Sequence, residues 1–176
     1  MKFIVICSIL MSCAMLYAAP IDDATFWAVM DIADVEGVPR SVAAQQLMEE
    51  TGDKDSGSRG DFSRKSMYPE DAEGFYSESG FQLYTNPKNL NRLLDRFWKG
   101  RGDTEKFDVY NYVHNTKLAM RYMRWLHDEF GTWYLAAAYY NCGPPRWDHK
   151  AKRYIPKVIP ERTRRYARRI VNARAP

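Results

Sequence analysis

The run from Val113 to Phe130 constrains the fold most. Leu118, Tyr122, Trp125 and Leu126 recur there at helical spacing, and Gly131 is a natural stop. Other stretches repeat the pattern. Residues 25–35 carry Phe26, Val29, Met30 and Ala33 on one side, and Gly37-Val38-Pro39 breaks that helix. Residues 40–50 follow, with Pro39 at the helix start and Val42, Ala43, Leu47 and Met48 turned inward. Residues 89–98 form a short helix. Thr132 caps a helix through "WYLAAAYYN" that ends at Gly143-Pro144-Pro145, and residues 162–171 make a last, basic helix behind Pro160. Strand patterns are almost absent, and there are no repeats. The reading is a mainly α fold in one domain over residues 20–176. It has a long polar loop region at 51–74 and a basic C-terminal helical tail at 146–176.

The first residues are read as export signal rather than fold. Met1-Lys2 is followed by the apolar run Phe3 to Leu10, too short to span a membrane, and then by Ala18-Ala19-Pro20. Two processing routes stand open: cleavage after Ala18 or Ala19, giving a signal peptide over 1–19, or a lipobox at Leu10-Met11-Ser12-Cys13 with a lipid on Cys13. Either way Cys142 is the one cysteine in the body of the chain, so the fold stands without an intramolecular disulfide. That suits a bacterial envelope protein in the periplasm. Hydrophobic residues at 45% and charged residues at 27% exclude a disordered chain, and aromatics at 14% suit either a sugar-binding cleft or an aromatic core. Charge is uneven: residues 146–176 hold 11 Lys/Arg against 2 Asp/Glu, while the rest of the chain is net −5. The tail is expected either to meet an anionic polymer or membrane surface or to present a solvated helix face.

Few residues offer chemistry. His114, His127 and His149 lack ligand spacing, and Asp53-Lys54-Asp55 fails as a calcium loop because Arg64 stands where the closing Glu belongs. No metal and no cofactor are expected, nor any nucleic-acid partner. Carboxylates remain. Glu50 closes a one-sided apolar helix and is followed by Thr51-Gly52. Half inside the fold, such a Glu has its pKa raised by desolvation and serves as a general acid. A plain surface Glu at a helix end is the competing reading.

The order along the chain weighs on that choice. Glu50-Thr51-Gly52, then Gly80-Phe81-Gln82, then Asn115 on a long helix, then Ala137-Ala138-Tyr139-Tyr140-Asn141-Cys142-Gly143-Pro144 resembles the lytic transglycosylase family, with its goose-type lysozyme-like fold. Pro160-Glu161-Arg162-Thr163-Arg164-Arg165-Tyr166 resembles that family's closing block, so the likeness runs from about Gly37 to Ile170. Thr51 stands for Ser, Cys142 for Ala, and Ser79 takes the place of the family's first Gly in the Gln block. Glu78-Ser79-Gly80-Phe81 imitates the acid motif, but it lacks a preceding apolar helix and a Gln block at loop distance.

The resemblance implies a substrate, the glycan strands of peptidoglycan, cut between N-acetylmuramic acid and N-acetylglucosamine to leave a 1,6-anhydro end. It implies Glu50 as the single acid/base, with Thr51, Phe81, Gln82, Tyr140 and Asn141 around the sugar. Tyr139 is read as core, and Asn141 as tying the loop behind Tyr140. A muramidase or glucosaminidase on the same fold, or an inactive wall-binding envelope protein, is the alternative. Secretion or division machinery would be a further partner.

Overall fold

The computed structural model describes residues 21–52, 59–66 and 70–172. The export signal expected over residues 1–19, with Cys13, lies outside them, as do Asp53-Lys54-Asp55 and the last residues of the basic tail. Among the described residues the chain is mainly helical: α1 (Asp23–Val35), α2 (Arg40–Thr51), α3 (Pro87–Phe97), α4 (Tyr112–Phe130), α5 (Trp133–Cys142) and α6 (Glu161–Val171). No helix among them is long and apolar enough to cross a membrane.

The expected helices form with small shifts at their ends, and side-chain caps fix several of these ends. Asn86 accepts from the Lys88 N–H and puts Pro87 in the first turn, so α3 starts earlier than expected. Asn111 accepts from the N–H groups of Val113 and His114 and opens α4, and Thr132 caps α5 through the Leu135 N–H. Gly131, in the left-handed conformation, ends α4.

The long helix α4 packs against α1, α3 and α5, and α6 lies against α5 and α2. Leu118, Met120, Met123 and Leu126 of α4 are fully buried, together with Val29 and Met30 of α1. Ala136, Ala137 and Ala138 of α5 are buried too, and their small side chains let α5 sit between α4 and α6. On α6, Thr163, Tyr166, Ala167 and Ile170 face inward, while Arg162, Arg164, Arg165, Arg168 and Arg169 are exposed. The basic helix is therefore a packed element with a charged outer face.

Two short hairpins were not legible in the sequence. β1 (Ser77–Glu78) pairs antiparallel with β2 (Leu83–Tyr84), and β3 (Trp147–Asp148) pairs with β4 (Arg153–Tyr154). Two-residue strands are too short to show alternation. Glu78 consequently lies on a strand, not in a loop.

One ion cluster ties α4 to the chain around it. Arg121 bonds Glu36 at 2.9 Å, the Phe97 carbonyl at 2.9 Å, and Asp103. All three side chains in the ion cluster are nearly buried. Removing the cation leaves two carboxylates with only the more distant Arg101 and Lys117. Arg121→Ala is expected to lower the unfolding free energy by about 3 kcal/mol, read from urea titrations.

Candidate active site

The last turn of α2 presents two neighbouring carboxylates to different surroundings. Glu49 is claimed by Arg169 of α6, which meets its two oxygens at 2.8 Å each. Glu50 meets no cation among the described residues. Its Oε1 accepts a hydrogen bond from the Tyr166 hydroxyl, also on α6, at 2.6 Å. Burial pushes the Glu50 carboxyl from 4.5 up to about 7; the Tyr166 hydrogen bond opposes this, and the negative charges of Glu49 and Glu70 add to it. A carboxyl in that state is part acid and part base at neutral pH.

The segment opposite Glu50 is the turn from Ser79 to Gln82, anchored by three helices. The Thr51 hydroxyl of α2 donates to the Gly80 carbonyl at 3.0 Å and accepts from the Asp61 N–H. Asn115 of α4 accepts from the Phe81 N–H at 3.0 Å, and the Tyr140 hydroxyl of α5 donates to the Phe81 carbonyl at 2.9 Å. Ser79 and Gln82 both adopt left-handed backbone angles, φ 69° and 48°. Each costs a non-glycine residue on the order of 1 kcal/mol and persists where the surroundings dictate it. At Ser79 the hydroxyl donates to the Phe62 carbonyl and the N–H to the Arg64 carbonyl, which explains how serine serves where a glycine was expected. Gly80 is glycine for want of space: a Cβ there would stand 2.6 Å from the Phe62 ring.

A groove of about 990 Å³ opens over Glu50. Gln82, Leu83 and Tyr84 line it from the hairpin, Tyr140 and Asn141 from α5, and Thr163 from α6. Helix α3 contributes Asn89, Arg92, Leu93 and Arg96. Tyr122 and Trp125 of α4 stack with ring centroids 5.8 Å apart, and Tyr122 continues to Tyr140 at 5.5 Å. This aromatic path through a polar-rimmed groove suits the apolar faces of a sugar chain.

The site residues expected from the sequence divide into two groups. Glu50, Gln82, Tyr140 and Asn141 share the groove. Thr51 and Phe81 do not. Thr51 is 2% exposed and its hydroxyl bonds the Gly80 carbonyl, not Glu50, while Phe81 is fully buried in the core. Both build the wall rather than meet a ligand. Asn141 accepts from the Thr163 hydroxyl at 2.9 Å and thereby ties α5 to α6. Tyr139 is core, as read. Glu78 faces away from the groove's lining: it accepts from the Tyr110 hydroxyl at 2.8 Å and pairs with Lys65 at 3.6 Å. Two of the histidines are engaged elsewhere, His114 with Glu105 and the Trp98 ring, His127 with the Trp133 ring.

The sequence did not single out Tyr166, Glu70 or the groove-facing side chains of α3, and it marked Tyr122 and Trp125 only by their helical spacing. Tyr166 was visible as the end of the Pro160–Tyr166 block, but its bond to Glu50 spans 116 positions.

Residues 84–158 match the family model described as the Transglycosylase SLT domain. The match takes in α3, α4, α5, Tyr140 and Asn141; it begins just after Gln82 and leaves Glu50 outside. No curated protein and no solved structure matches the chain.

The raised pKa of Glu50 is also a statement about stability. A carboxyl with a folded pKa near 7 and an unfolded one near 4.5 destabilises the fold as pH rises through that window. Glu50→Gln, which keeps an acceptor for Tyr166, is therefore expected to be more stable than the wild type above pH 7. The gain is on the order of 3 kcal/mol and disappears below pH 4.5, as read by denaturant melts across pH.

Proposed function

We propose, on the premise of a transglycosylase SLT domain at residues 84–158 that supports the lytic transglycosylase family, that this chain is a peptidoglycan lytic transglycosylase with Glu50 as its single acid and base. Activity of that type on peptidoglycan is supported at family level by the same match. One observation carries the finer reading. The groove holds a buried carboxyl that is poised near pH 7 and, among the described residues, free of any cation, while its neighbour Glu49 pairs with Arg169.

The chemistry follows from that poise. Protonated Glu50 gives its proton to the glycosidic oxygen as the bond from the muramic acid C1 breaks. Glu50, now a carboxylate, takes the proton of the muramic acid's own 6-hydroxyl. That oxygen closes on C1, leaving a 1,6-anhydro end and consuming no water. The two-carboxylate scheme of most glycosidases is not required, because the nucleophile belongs to the substrate. Tyr166 fixes the orientation of the carboxyl and keeps its pKa from climbing further. Gln82, whose amide donates to the Ser79 carbonyl at 2.8 Å, is held rigidly at the groove wall, and the Tyr140 ring stands beside it. Work on this substrate takes place in the periplasm, in keeping with the export signal read in residues 1–19. The intact mass of the mature protein decides between cleavage at Ala18 or Ala19 and a lipid on Cys13.

A hydrolytic muramidase is the second reading, favoured by one observation: Glu70, a second carboxylate, also lines the groove. Product analysis separates the two. Purified sacculi digested with the wild-type protein are expected to yield 1,6-anhydro-muramyl ends by mass spectrometry, where a hydrolase would give reducing ends. Glu50→Gln is expected to slow release by about 10²- to 10⁴-fold. Glu78→Ala is expected to retain most activity; loss of activity there and its survival in Glu50→Gln would reassign the acid.

A further inference from the structure

The groove carries more positive charge than a neutral sugar chain needs. Arg92 and Arg96 stand one turn apart on α3, Arg162 lies in the first turn of α6, and all three line the groove with Glu50. Arg96 is occupied: its guanidinium lies 4.3 Å from the centre of the Trp125 ring and 5.2 Å from that of Phe97. Arg92 and Arg162 are exposed and make no ion pair or side-chain hydrogen bond within the described residues. Glu161, the carboxylate next to Arg162 in the chain, is held by Arg164 and Arg168. Among the described residues, the acids facing the same groove are Glu50, kept largely neutral up to about pH 7 by its burial, and Glu70. The lining is therefore net positive while Glu50 holds its proton.

The N-acetylated sugar backbone offers such cations nothing to pair with. The anionic groups of peptidoglycan are the carboxylates of the peptides hung from the muramic acid lactyl group. Guanidinium is the side chain whose fork matches a carboxylate's two oxygens. We propose that Arg92 and Arg162 form a carboxylate-binding pair that grips the stem peptides of a strand seated over Glu50. Peptide-bearing glycan is then the preferred substrate over naked glycan. This inference rests on the peptidoglycan reading above and adds to it the part of the polymer the protein selects.

Binding tests it without turnover. Fluorescently labelled glycan strands of matched length, either with their peptides or stripped of them by an amidase and capped as amides at the lactyl carboxylates this frees, are titrated into the full-length Glu50→Gln protein. Peptide-bearing strands are expected to bind about threefold to tenfold more tightly at low salt. That advantage shrinks as salt is raised and disappears when Arg92→Gln and Arg162→Gln are added. Both arginines are exposed, and circular dichroism checks that the fold is kept. Equal affinity for the two strands overturns the proposal, as does a preference that survives the double substitution or ignores salt. Failure of the transglycosylase reading shows separately, as missing anhydro ends in the wild-type digest, and leaves the binding preference readable.

Discussion

The site depends on α6 crossing the end of α2. That one packing contact buries Glu50 and supplies Tyr166 to its carboxyl, and it supplies Arg169 to Glu49. Two adjacent glutamates thus acquire opposite characters. The half-exposed Arg169 pairs with Glu49, whereas burial makes the charged form of Glu50 costly and the Tyr166 hydroxyl offsets that only in part. The buried tyrosine is itself affected: burial, then the charge of Glu50, push its hydroxyl well above its usual range, so it remains a donor at any working pH. Detaching α6 would return Glu50 to water and to the pKa of an ordinary carboxylate.

The second constraint is the turn from Ser79 to Gln82. Thr51, Asn115 and Tyr140 come from three helices and converge on the backbone of Gly80 and Phe81. Since the same α2 turn carries Glu50 and Thr51, the acid and the facing wall are positioned by one helix end. Phe81, buried in the core, locks the turn from below, and Phe62 leaves no room for a side chain at Gly80. The left-handed Gln82 follows from this convergence and projects into the groove. Preorganisation of this kind holds the groove wall and Glu50 in fixed relation before any ligand arrives.

Much of this was legible in the sequence. Helices showed in the spacing of apolar residues and in their caps, and Glu50 stood out by its helix end and by its order relative to Gln82 and Tyr140. What was not legible was distance in space. Thr51 was placed beside the sugar because it follows Glu50 in sequence, yet its hydroxyl serves a carbonyl 29 positions away. Phe81 looked like cleft wall because it precedes Gln82, but its side chain points the other way. Tyr122 and Trp125 share the helical period of true core residues, and periodicity does not separate a buried face from a groove of the same polarity. Glu78 imitates the acid motif letter by letter; only its strand pairing and its bond to Tyr110 show what it does.

The chemistry of the site turns on the protonation state of one carboxyl. Carbon-13 NMR of protein labelled at the glutamate δ-carbons, with the Glu50 signal identified by its absence in Glu50→Gln, follows that group directly. A titration midpoint near 7, shifted upward in Tyr166→Phe where the opposing hydrogen bond is gone, is the predicted result. A midpoint near 4.5, unmoved by loss of the tyrosine hydroxyl, would contradict it.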